Sequence, residues 1–314
     1  MLSPLAELEN AGTEVALLGW RSLRLWRHVT EKLNASRPDV QLFRQEGSLL
    51  LAHGSDMGSA LRVLSRLDRS TSGVRGMPAP QRLHDGSLSA LEPGLLPTLH
   101  AWLLPQEAQV MPREVLRELA RQADGVTWHW SAHVAQVEPG QIRLRDSAQA
   151  HHFDVAIDVR GLGAKPGLPL RGVRGEMIWL HAPAAKLRRP VRLMHPRHRV
   201  YVVPRPNDLF VVGASEVESE DRSPVSLKSS VELMAAAHSI LPALSEARIV
   251  HMEANLRPAL PDNKPLVCTE DGLIQINGLF RHGWLLAPAL IEDALSRLGV
   301  DAFEMTKLKD FSHA

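Results

Sequence analysis

Residues 273–288 read Leu273-Ile274-Gln275-Ile276-Asn277-Gly278-Leu279-Phe280-Arg281-His282-Gly283-Trp284-Leu285-Leu286-Ala287-Pro288. The first five predict a strand, a turn with two glycines follows around Arg281, and the apolar run 284–298 predicts a helix. A strand that leads through a turn into a helix leaves the first N–H groups of the helix unpaired, and these can hold a polar, electron-rich group. An ordinary connection with a solvated arginine is the alternative that this stretch alone leaves open.

The composition is that of a globular protein. The 314 residues are 44% hydrophobic and 23% charged, and the net charge of +1 excludes global steering toward nucleic acid or an anionic membrane. The single cysteine, Cys268, excludes an internal disulfide, and we expect it to be a small buried side chain. The 15 histidines show no metal-binding spacing. No apolar run is long enough to span a membrane and no signal peptide is evident, so we expect a cytoplasmic protein.

Hydrophobic periodicity predicts a mixture of helices and strands. Helices are predicted over residues 11–33, 57–67 and 284–298, from Pro112 onward, and from a Ser229-Ser230-Val231-Glu232 capping box to about residue 240. Strands are predicted over residues 43–52, 126–137, 141–144, 153–159, 177–181, 200–203, 210–213, 248–254 and 266–268. Residues 1–10 are expected to be irregular. This mixture predicts an α/β core with an inserted antiparallel region.

Four motifs occur in a characteristic order: Tyr201-Val202-Val203-Pro204-Arg205, Val211-Val212-Gly213-Ala214, Asn255-Leu256-Arg257-Pro258 and Gly278-Leu279-Phe280-Arg281-His282-Gly283. Together they resemble the D-amino-acid oxidase family of flavoproteins, and within it the FAD-dependent glycine oxidases of thiamine biosynthesis. Two further segments support the closer match: Asp158-Val159-Arg160-Gly161-Leu162-Gly163-Ala164 and Arg171-Gly172-Val173-Arg174-Gly175-Glu176. The resemblance covers residues 1 to about 298.

The resemblance implies a two-domain FAD-dependent amine oxidase fold of mixed α/β class. Residues 1–40, 110–165 and 255–300 would form a Rossmann-like FAD-binding domain, and residues 41–109 and 166–254 an antiparallel-sheet substrate domain. The family begins with a strand, a G-x-G-x-x-G turn and a helix that hold the FAD pyrophosphate. The chain shows no such sequence, since Gly161-Leu162-Gly163 lacks the third glycine. We therefore expect a truncated FAD-binding domain that binds FAD weakly or not at all.

Two arginines are the candidate carboxylate ligands. Oxidation of an amino acid to an imine requires a fixed carboxylate, and the planar, permanently charged guanidinium with two parallel donors suits that task. The resemblance implies that Arg257 is the carboxylate clamp and that Arg281 contributes beside it. For either arginine alone, a solvated surface position is the alternative.

The resemblance also places Tyr201, the only tyrosine, on the substrate side of the flavin, where its hydroxyl can bind the substrate. A core tyrosine in a strand is the alternative. The family often carries a second tyrosine upstream, where this chain has Pro196-Arg197-His198-Arg199. No side chain need act as general base, because a substrate amine can lose its proton to water.

The remaining site residues concern the cofactor. The segment Leu279, Phe280, Arg281, His282, Gly283, Trp284 and Leu285 matches the one that holds the isoalloxazine edge through backbone N–H groups. Val134 matches the backbone contact to adenine, although a strand valine is ordinarily core, and Met1 matches a residue near the flavin ring. A basic cluster, which we interpret as a solvated face, comprises Lys186, Arg188, Arg189, Arg192, Arg197 and Arg199.

The sequence therefore favours an FAD-dependent oxidase that converts glycine or a similar small amino acid to an imine and reduces O2 to H2O2. The imine would feed thiazole formation in thiamine biosynthesis. One alternative is a non-catalytic remnant or a subunit that needs a separate dinucleotide-binding chain. Another is an oxidase or dehydrogenase for sarcosine, proline or D-amino acids. No nucleic acid or membrane partner is expected, and a homo-oligomer stays open.

Overall fold

A computed structural model describes residues 1–8, 12–35, 37–71, 78–84, 86–147, 149–195 and 199–300. The fold is of mixed α/β class, as the sequence predicts. Within these ranges, no helix combines the length and the apolar character that crossing a membrane requires.

The helices confirm most of the predicted positions, among them the long N-terminal helix and the helix after Arg281. Pro112 stands at the first position of its helix, where the missing N–H costs nothing. The helices are α1 Pro4–Glu7, α2 Thr13–Asn34, α3 Met57–Thr71, α4 Ser87–Leu91, α5 Pro112–Arg121, α6 Leu227–Ile240 and α7 Gly283–Ser296.

Five predicted strands are longer in the structure than the apolar runs that predict them and two have the predicted bounds, whereas the runs 43–52, 126–137 and 153–159 contain shorter strands. In the first half of the chain they are β1 Phe43–Arg44, β2 Ser48–Ala52, β3 Gln81–Leu83, β4 His100–Leu104, β5 Gln109–Val110, β6 Val134–Glu138, β7 Gln141–Leu144, β8 Ala150–His152 and β9 Ala156–Asp158. In the second half they are β10 Arg171–His181, β11 Val191–Met194, β12 Arg199–Arg205, β13 Leu209–Gly213, β14 Arg248–Ala259, β15 Leu266–Glu270 and β16 Leu273–Asn277.

An eight-stranded sheet organises the fold, in the order β14-β10-β13-β12-β11-β2-β4-β3. Its strand β2 is buried along its whole length because the sheet is covered on both faces, which explains the unbroken apolar run there. Leu49 and Leu51 belong to the core that includes Leu233 of α6, whereas Leu50 belongs to the core that includes Leu67 of α3. The sheet therefore separates two hydrophobic cores.

Three smaller sheets lie outside it. Strand β16 pairs with β15 on one side and runs parallel to β9 on the other, and β6-β7-β8 and β1-β5 form antiparallel sheets. Helices α2 and α7 pack together closely because Gly19 lies against the Leu285 side chain, where a Cβ would come within 2.9 Å. Strand β16 thus leads directly into the turn around Arg281 and then into α7.

Several predictions of local structure are wrong. Residues 126–133 are not a strand, although Trp128 and Trp130 alternate as in one, because in the described part of the chain no neighbouring strand pairs with them. Both rings are exposed and stack on each other. Cys268 is exposed rather than buried, since it lies on the outward side of the edge strand β15. The helix α6 is capped by Ser226, whose Oγ accepts from Ser229 N at 3.2 Å, three residues before the predicted box.

The first residues are ordered rather than irregular. Leu2 pairs with Ala108 through two backbone hydrogen bonds of 2.7 and 3.0 Å. The buried carboxylate of Glu107 accepts from Ala6 N at 3.1 Å and from the Ser48 hydroxyl. Because Ala108 and Glu107 lie about a hundred residues away from Leu2 and Ala6 in sequence, no local pattern predicts these contacts.

The two-sided burial of β2 yields a stability prediction. Replacement of the fully buried Leu51 by Ala should lower the free energy of unfolding by about 2–5 kcal/mol, because it removes apolar contacts and leaves a cavity. Leu61→Ala is the control, since that side chain is 56% exposed and its loss should cost less than about 0.5 kcal/mol. Urea unfolding measures both values, and equal losses would contradict the two-sided core.

Candidate functional site

A cavity of about 1540 Å³ lies against the eight-stranded sheet. Its wall takes alternate residues of neighbouring strands, as the two-residue period of a strand requires. From the sheet these include Leu50, Gly175, Met177, Trp179, Arg192, Tyr201, Val203, Arg205, Val211 and Arg257. The turn before α7 and the start of that helix close another side with Phe280, Arg281, His282, Trp284 and Leu285, together with Met1. The structure thus brings Arg257, Arg281 and Tyr201 to one cavity.

Two glycines form the floor between Tyr201 and Arg257. Gly213 of β13 pairs directly with Tyr201 of β12, and a Cβ there would lie only 2.7 Å from the Tyr201 Oη. Gly175 of β10 lies under the Arg257 guanidinium, which a Cβ at that position would overlap. Since β12, β13, β10 and β14 are consecutive in the sheet, both side chains extend across bare backbone toward each other.

Arg257 keeps its charge free of acidic partners. Its Nη1 donates to the Ser215 carbonyl at 3.1 Å and lies 3.5 Å from the Arg174 carbonyl. Among the described residues, no carboxylate lies within 4 Å of this guanidinium. Burial lowers the pKa of Arg257, yet an arginine stays protonated in a protein. The result is a partly desolvated cation whose remaining donors can bind an anion.

Tyr201 provides a neutral hydroxyl in the same place. Its phenol crosses Gly213, and the hydroxyl donates to the Met177 Sδ at 3.4 Å. Burial raises the pKa of Tyr201 despite the arginines nearby, so the hydroxyl stays protonated at neutral pH. A thioether is a weak acceptor, and a bound ligand with an oxygen or nitrogen acceptor can therefore displace it.

Arg281 differs from Arg257 because its charge is already compensated. Its Nη2 lies 2.9 Å from Glu7 Oε2, and its Nη1 lies 3.1 Å from Glu216 Oε2. Glu7 also binds Arg192 at 2.8 Å. Burial on its own would raise the pKa of Glu7, but the positive charges of Arg192 and Arg281 outweigh it and lower the pKa to about 2. Sequence reasoning missed both glutamates, which belong to no motif.

His282 is neutral in this network. Burial lowers its pKa more strongly than the charge of Glu7 raises it. Its Nδ1 lies 3.4 Å from Glu7 Oε2 and has no hydrogen-bond partner in the structure. We therefore regard this contact as a close approach and not as an ion pair.

A buried ion pair holds the segment between β13 and α6 in place. Arg174 lies 2.8 Å from Glu176, and burial raises the pKa of Glu176 less than its hydrogen bonds lower it, to about 2. Glu176 accepts from the Ser215 hydroxyl and from Ser226 N, while Arg174 donates to the Pro224 carbonyl. The pair thereby positions Ser215, whose carbonyl binds Arg257, and the neighbouring Glu216. The motif around Gly175 contains both charged residues, but nothing in the sequence pairs them with this segment.

The start of α7 fits the polar edge of the flavin that the resemblance implies. No side chain caps the helix, and open space lies beside Gly283. An uncapped helix N-terminus that borders a cavity presents unpaired N–H groups to an electron-rich partner. The Trp284 carbonyl accepts from Trp26 Nε1 at 2.6 Å and the two rings stack, which fixes the first turn of the helix.

Three of the predicted cofactor residues do not line the cavity. Leu279 belongs to the core formed by α2 and α7 and makes a bridge with Ala259, and Gly283 is flanked by lining residues without being one. Val134 lies on β6, away from the cavity wall, and the Arg160 Nη1 lies 3.3 Å from its carbonyl.

The basic cluster is not simply a solvated face. Arg192 binds Glu7, and Arg189 lies 3.0 Å from the buried Glu92. The residues Pro196, Arg197 and His198, where the family often has a second tyrosine, lie outside the described residues, as does the Arg199 side chain. Within the described ranges, no group of three or more His, Cys, Asp or Glu residues has the geometry to hold a metal ion.

The glycine floor yields a prediction about ligand binding. Gly175→Ala should displace the Arg257 guanidinium and weaken acetate binding about tenfold or more, because the charged hydrogen bonds to the carboxylate lose their alignment. Gly58→Ala is the matched control, since open space surrounds that exposed helical position. Ligand-observed NMR measures acetate affinity, and a folded Gly175→Ala protein with unchanged affinity would contradict the role of the floor.

The charge on Glu7 yields a prediction about acid stability. A carboxylate whose folded pKa is depressed stabilises the fold above its unfolded pKa, and that contribution is lost as pH falls through the folded value. The wild-type advantage over Glu7→Gln should therefore be full above pH 4.5 and shrink as pH falls toward about 2. Urea unfolding between pH 3 and 7 measures it, with the exposed Glu14→Gln as control. An advantage that grows on acidification would be inconsistent with the depressed pKa.

Comparison with known proteins gives the family. A family model described as FAD dependent oxidoreductase, DAO, matches residues 1–295. A protein of Rhizobium etli that carries the name thiamine biosynthesis oxidoreductase ThiO is 37% identical over 306 residues, which cover 95% of this chain and 83% of that protein.

Solved structures share the fold. Glycine oxidase from Geobacillus kaustophilus aligns with a TM-score of 0.76 and 23% identity, covering 96% of this chain and 84% of that one. Iminodiacetate oxidase from Chelativorans sp. BNC1 also aligns with a TM-score of 0.76 and 23% identity, covering 90% and 80%. The family match over nearly the whole chain and the ThiO relative together show that the chain belongs to the DAO family of FAD dependent oxidoreductases and that its cofactor is FAD.

Proposed function

We propose that the chain oxidises glycine or a similarly small amino acid to the imine, with O2 reduced to H2O2, and that the imine enters thiazole formation in thiamine biosynthesis. The observation that carries this proposal is the Arg257 guanidinium, which is partly buried, forms no ion pair with any described residue and faces Tyr201 across a floor of two glycines. The names of the ThiO relative and of the glycine oxidase fold neighbour support the substrate and the pathway.

The chain's part in the reaction is to fix the substrate. Arg257 holds the carboxylate with its free donors, and the Tyr201 hydroxyl turns from Met177 to a substrate atom. The low polarity of a partly buried site strengthens both contacts. Bound FAD would supply the acceptor for the hydride from the substrate Cα, with O2 as the final oxidant. The amine must be neutral at that step, and water can take its proton without help from a side chain.

We also propose how the chain contacts FAD. The segment Leu279 to Leu285 contacts the isoalloxazine edge through the unpaired N–H groups at the uncapped start of α7, while Phe280 N and His282 N already donate to backbone carbonyls. Met1 borders the same cavity. Val134, on β6, contributes a backbone contact to the adenine of FAD. The division into an FAD-binding domain of residues 1–40, 110–165 and 255–300 and a substrate domain of residues 41–109 and 166–254 belongs to this proposal. In its favour, no strand of the eight-stranded sheet comes from residues 110–165.

A second candidate function is that of a subunit completed by a separate dinucleotide-binding chain. The parallel pair β9–β16 favours it, because among the described strands β9 has a partner on one side only. Ile157 of β9 is 48% exposed, and Val159 just after it is 65% exposed. Apolar side chains beside an unpaired strand edge are typical of a surface that another strand covers.

The proposed function predicts the effect of removing the clamp. After reconstitution with FAD, Arg257→Met should lower kcat/KM for glycine by about 100-fold or more, because the substrate carboxylate loses its charged donors. Arg257→Lys should also be impaired, since it keeps the charge but loses the planar pair of donors. Peroxide release with glycine, sarcosine and D-alanine measures the activity.

The matched control is Arg222→Met, which removes an exposed arginine that does not line the cavity and should leave activity unchanged. The oxidase proposal fails if the FAD-loaded protein releases no peroxide from any of the three amines. It also fails if Arg257→Met and Arg222→Met behave alike.

A further inference from the structure

The described arginines around Tyr201 differ in whether they form an ion pair. Arg192, Arg257 and Arg281 provide three positive charges, and Glu7 and Glu216 provide two negative ones. A fourth arginine, Arg205, stands four residues farther along β12 and donates to the Val110 carbonyl at 2.8 Å. Arg257 forms no ion pair with any described residue, so its positive charge is left for a ligand.

The two glutamates are held very differently. The Glu7 side chain is 8% exposed and forms ion pairs with both Arg192 and Arg281. The Glu216 side chain is 43% exposed, and its ion pair with the Arg281 Nη1 is the only one that the structure records for it. Glu216 is thus the countercharge that a single substitution can remove without opening the buried network.

Glu216 also borders two cavities. It lines the large cavity and a second one of about 420 Å³, and Phe280, Arg281 and His282 border both. Its charge acts on Arg257 as well as on Arg281. Any ligand group that extends from Arg257 toward Arg281 therefore meets Glu216.

We propose that Glu216 is a specificity-determining residue that occupies Arg281 and so restricts the site to ligands with a single carboxylate. The inference rests on the proposed function, because it takes Arg257 to be the clamp for the first carboxylate. A second carboxylate would approach the negative charge of Glu216 and find the Arg281 donors occupied. Like charges in a partly buried site repel strongly, so a dicarboxylate is rejected although the cavity has room for it.

The substitution Glu216→Gln tests the proposal because it removes the charge and keeps the size of the side chain. The dissociation constants of acetate, malonate and succinate are measured by ligand-observed NMR. The ratio of the malonate or succinate constant to the acetate constant should fall about tenfold in the variant, since Arg281 gains a charged hydrogen bond to the second carboxylate.

Glu218→Gln is the matched control. Glu218 lies two residues away in the same segment, is 65% exposed and pairs with Arg171 at 3.0 Å instead of with Arg281. Its substitution changes the net charge by the same amount, and the affinity ratio should stay at the wild-type value. A similar fall in both variants would show a general charge effect and overturn the proposal.

Combining Glu216→Gln with Arg281→Met should give a ratio between those of the wild type and Glu216→Gln, because the repulsion is still absent but the second carboxylate has lost its Arg281 donors. If the whole gain persists without Arg281, or if Glu216→Gln shows no gain, the proposal is wrong. Glu216→Ala serves as a second removal of the charge, and circular dichroism checks the folding of each variant.

The same titrations separate this inference from the function on which it rests. Acetate binding that is lost in Arg257→Met supports the clamp independently of Glu216. If wild-type protein binds acetate through Arg257 but the ratio does not change in Glu216→Gln, only the present inference fails. If acetate does not bind, or if it still binds to Arg257→Met, both the proposed function and the present inference fail.

Discussion

Burying a guanidinium without a carboxylate beside it costs free energy. The rest of the site depends on the contacts by which this fold stabilises the buried Arg257. Part of the guanidinium is solvated by the carbonyls of Ser215 and Arg174, which are dipoles and leave the charge uncompensated. The buried pair of Arg174 and Glu176 holds both carbonyls in position. Because Arg257 is prepared in this way before any ligand arrives, little reorganisation is needed when a carboxylate binds.

Much of the fold could be predicted from local patterns. Helix α2 and the strand, turn and helix around Arg281 match the sequence closely, because their apolar periodicity and glycines act within a few residues. The failures came where partners are distant in sequence. Trp128 and Trp130 carry the alternation of a strand, yet in the described part of the chain they find no strand to pair with. Likewise, Leu2 is ordered by Ala108, a contact that no local pattern reveals.

The site was only partly predictable. Motif resemblance pointed to Arg257, Arg281 and Tyr201, and all three border one cavity, but their roles as ligands remain proposals. The resemblance assigned both arginines to the substrate carboxylate, Arg257 as the clamp and Arg281 as a contributor, and the structure shows that their partners differ. That distinction depends on Glu7 and Glu216, which lie far from Arg281 in sequence and belong to none of the motifs. Gly175 carried a usable signal, since a glycine inside a strand often marks the close approach of another group.

The most direct test of the central claim is a crystal structure of the protein soaked with glycolate, a carboxylate close in size to glycine. We predict that the carboxylate lies within hydrogen-bond distance of the Arg257 guanidinium above the glycine floor. The Tyr201 hydroxyl should turn from Met177 toward the ligand, and Arg281 should stay paired with Glu7 and Glu216. A glycolate bound to Arg281, with Arg257 still turned to the Ser215 carbonyl alone, would contradict the account.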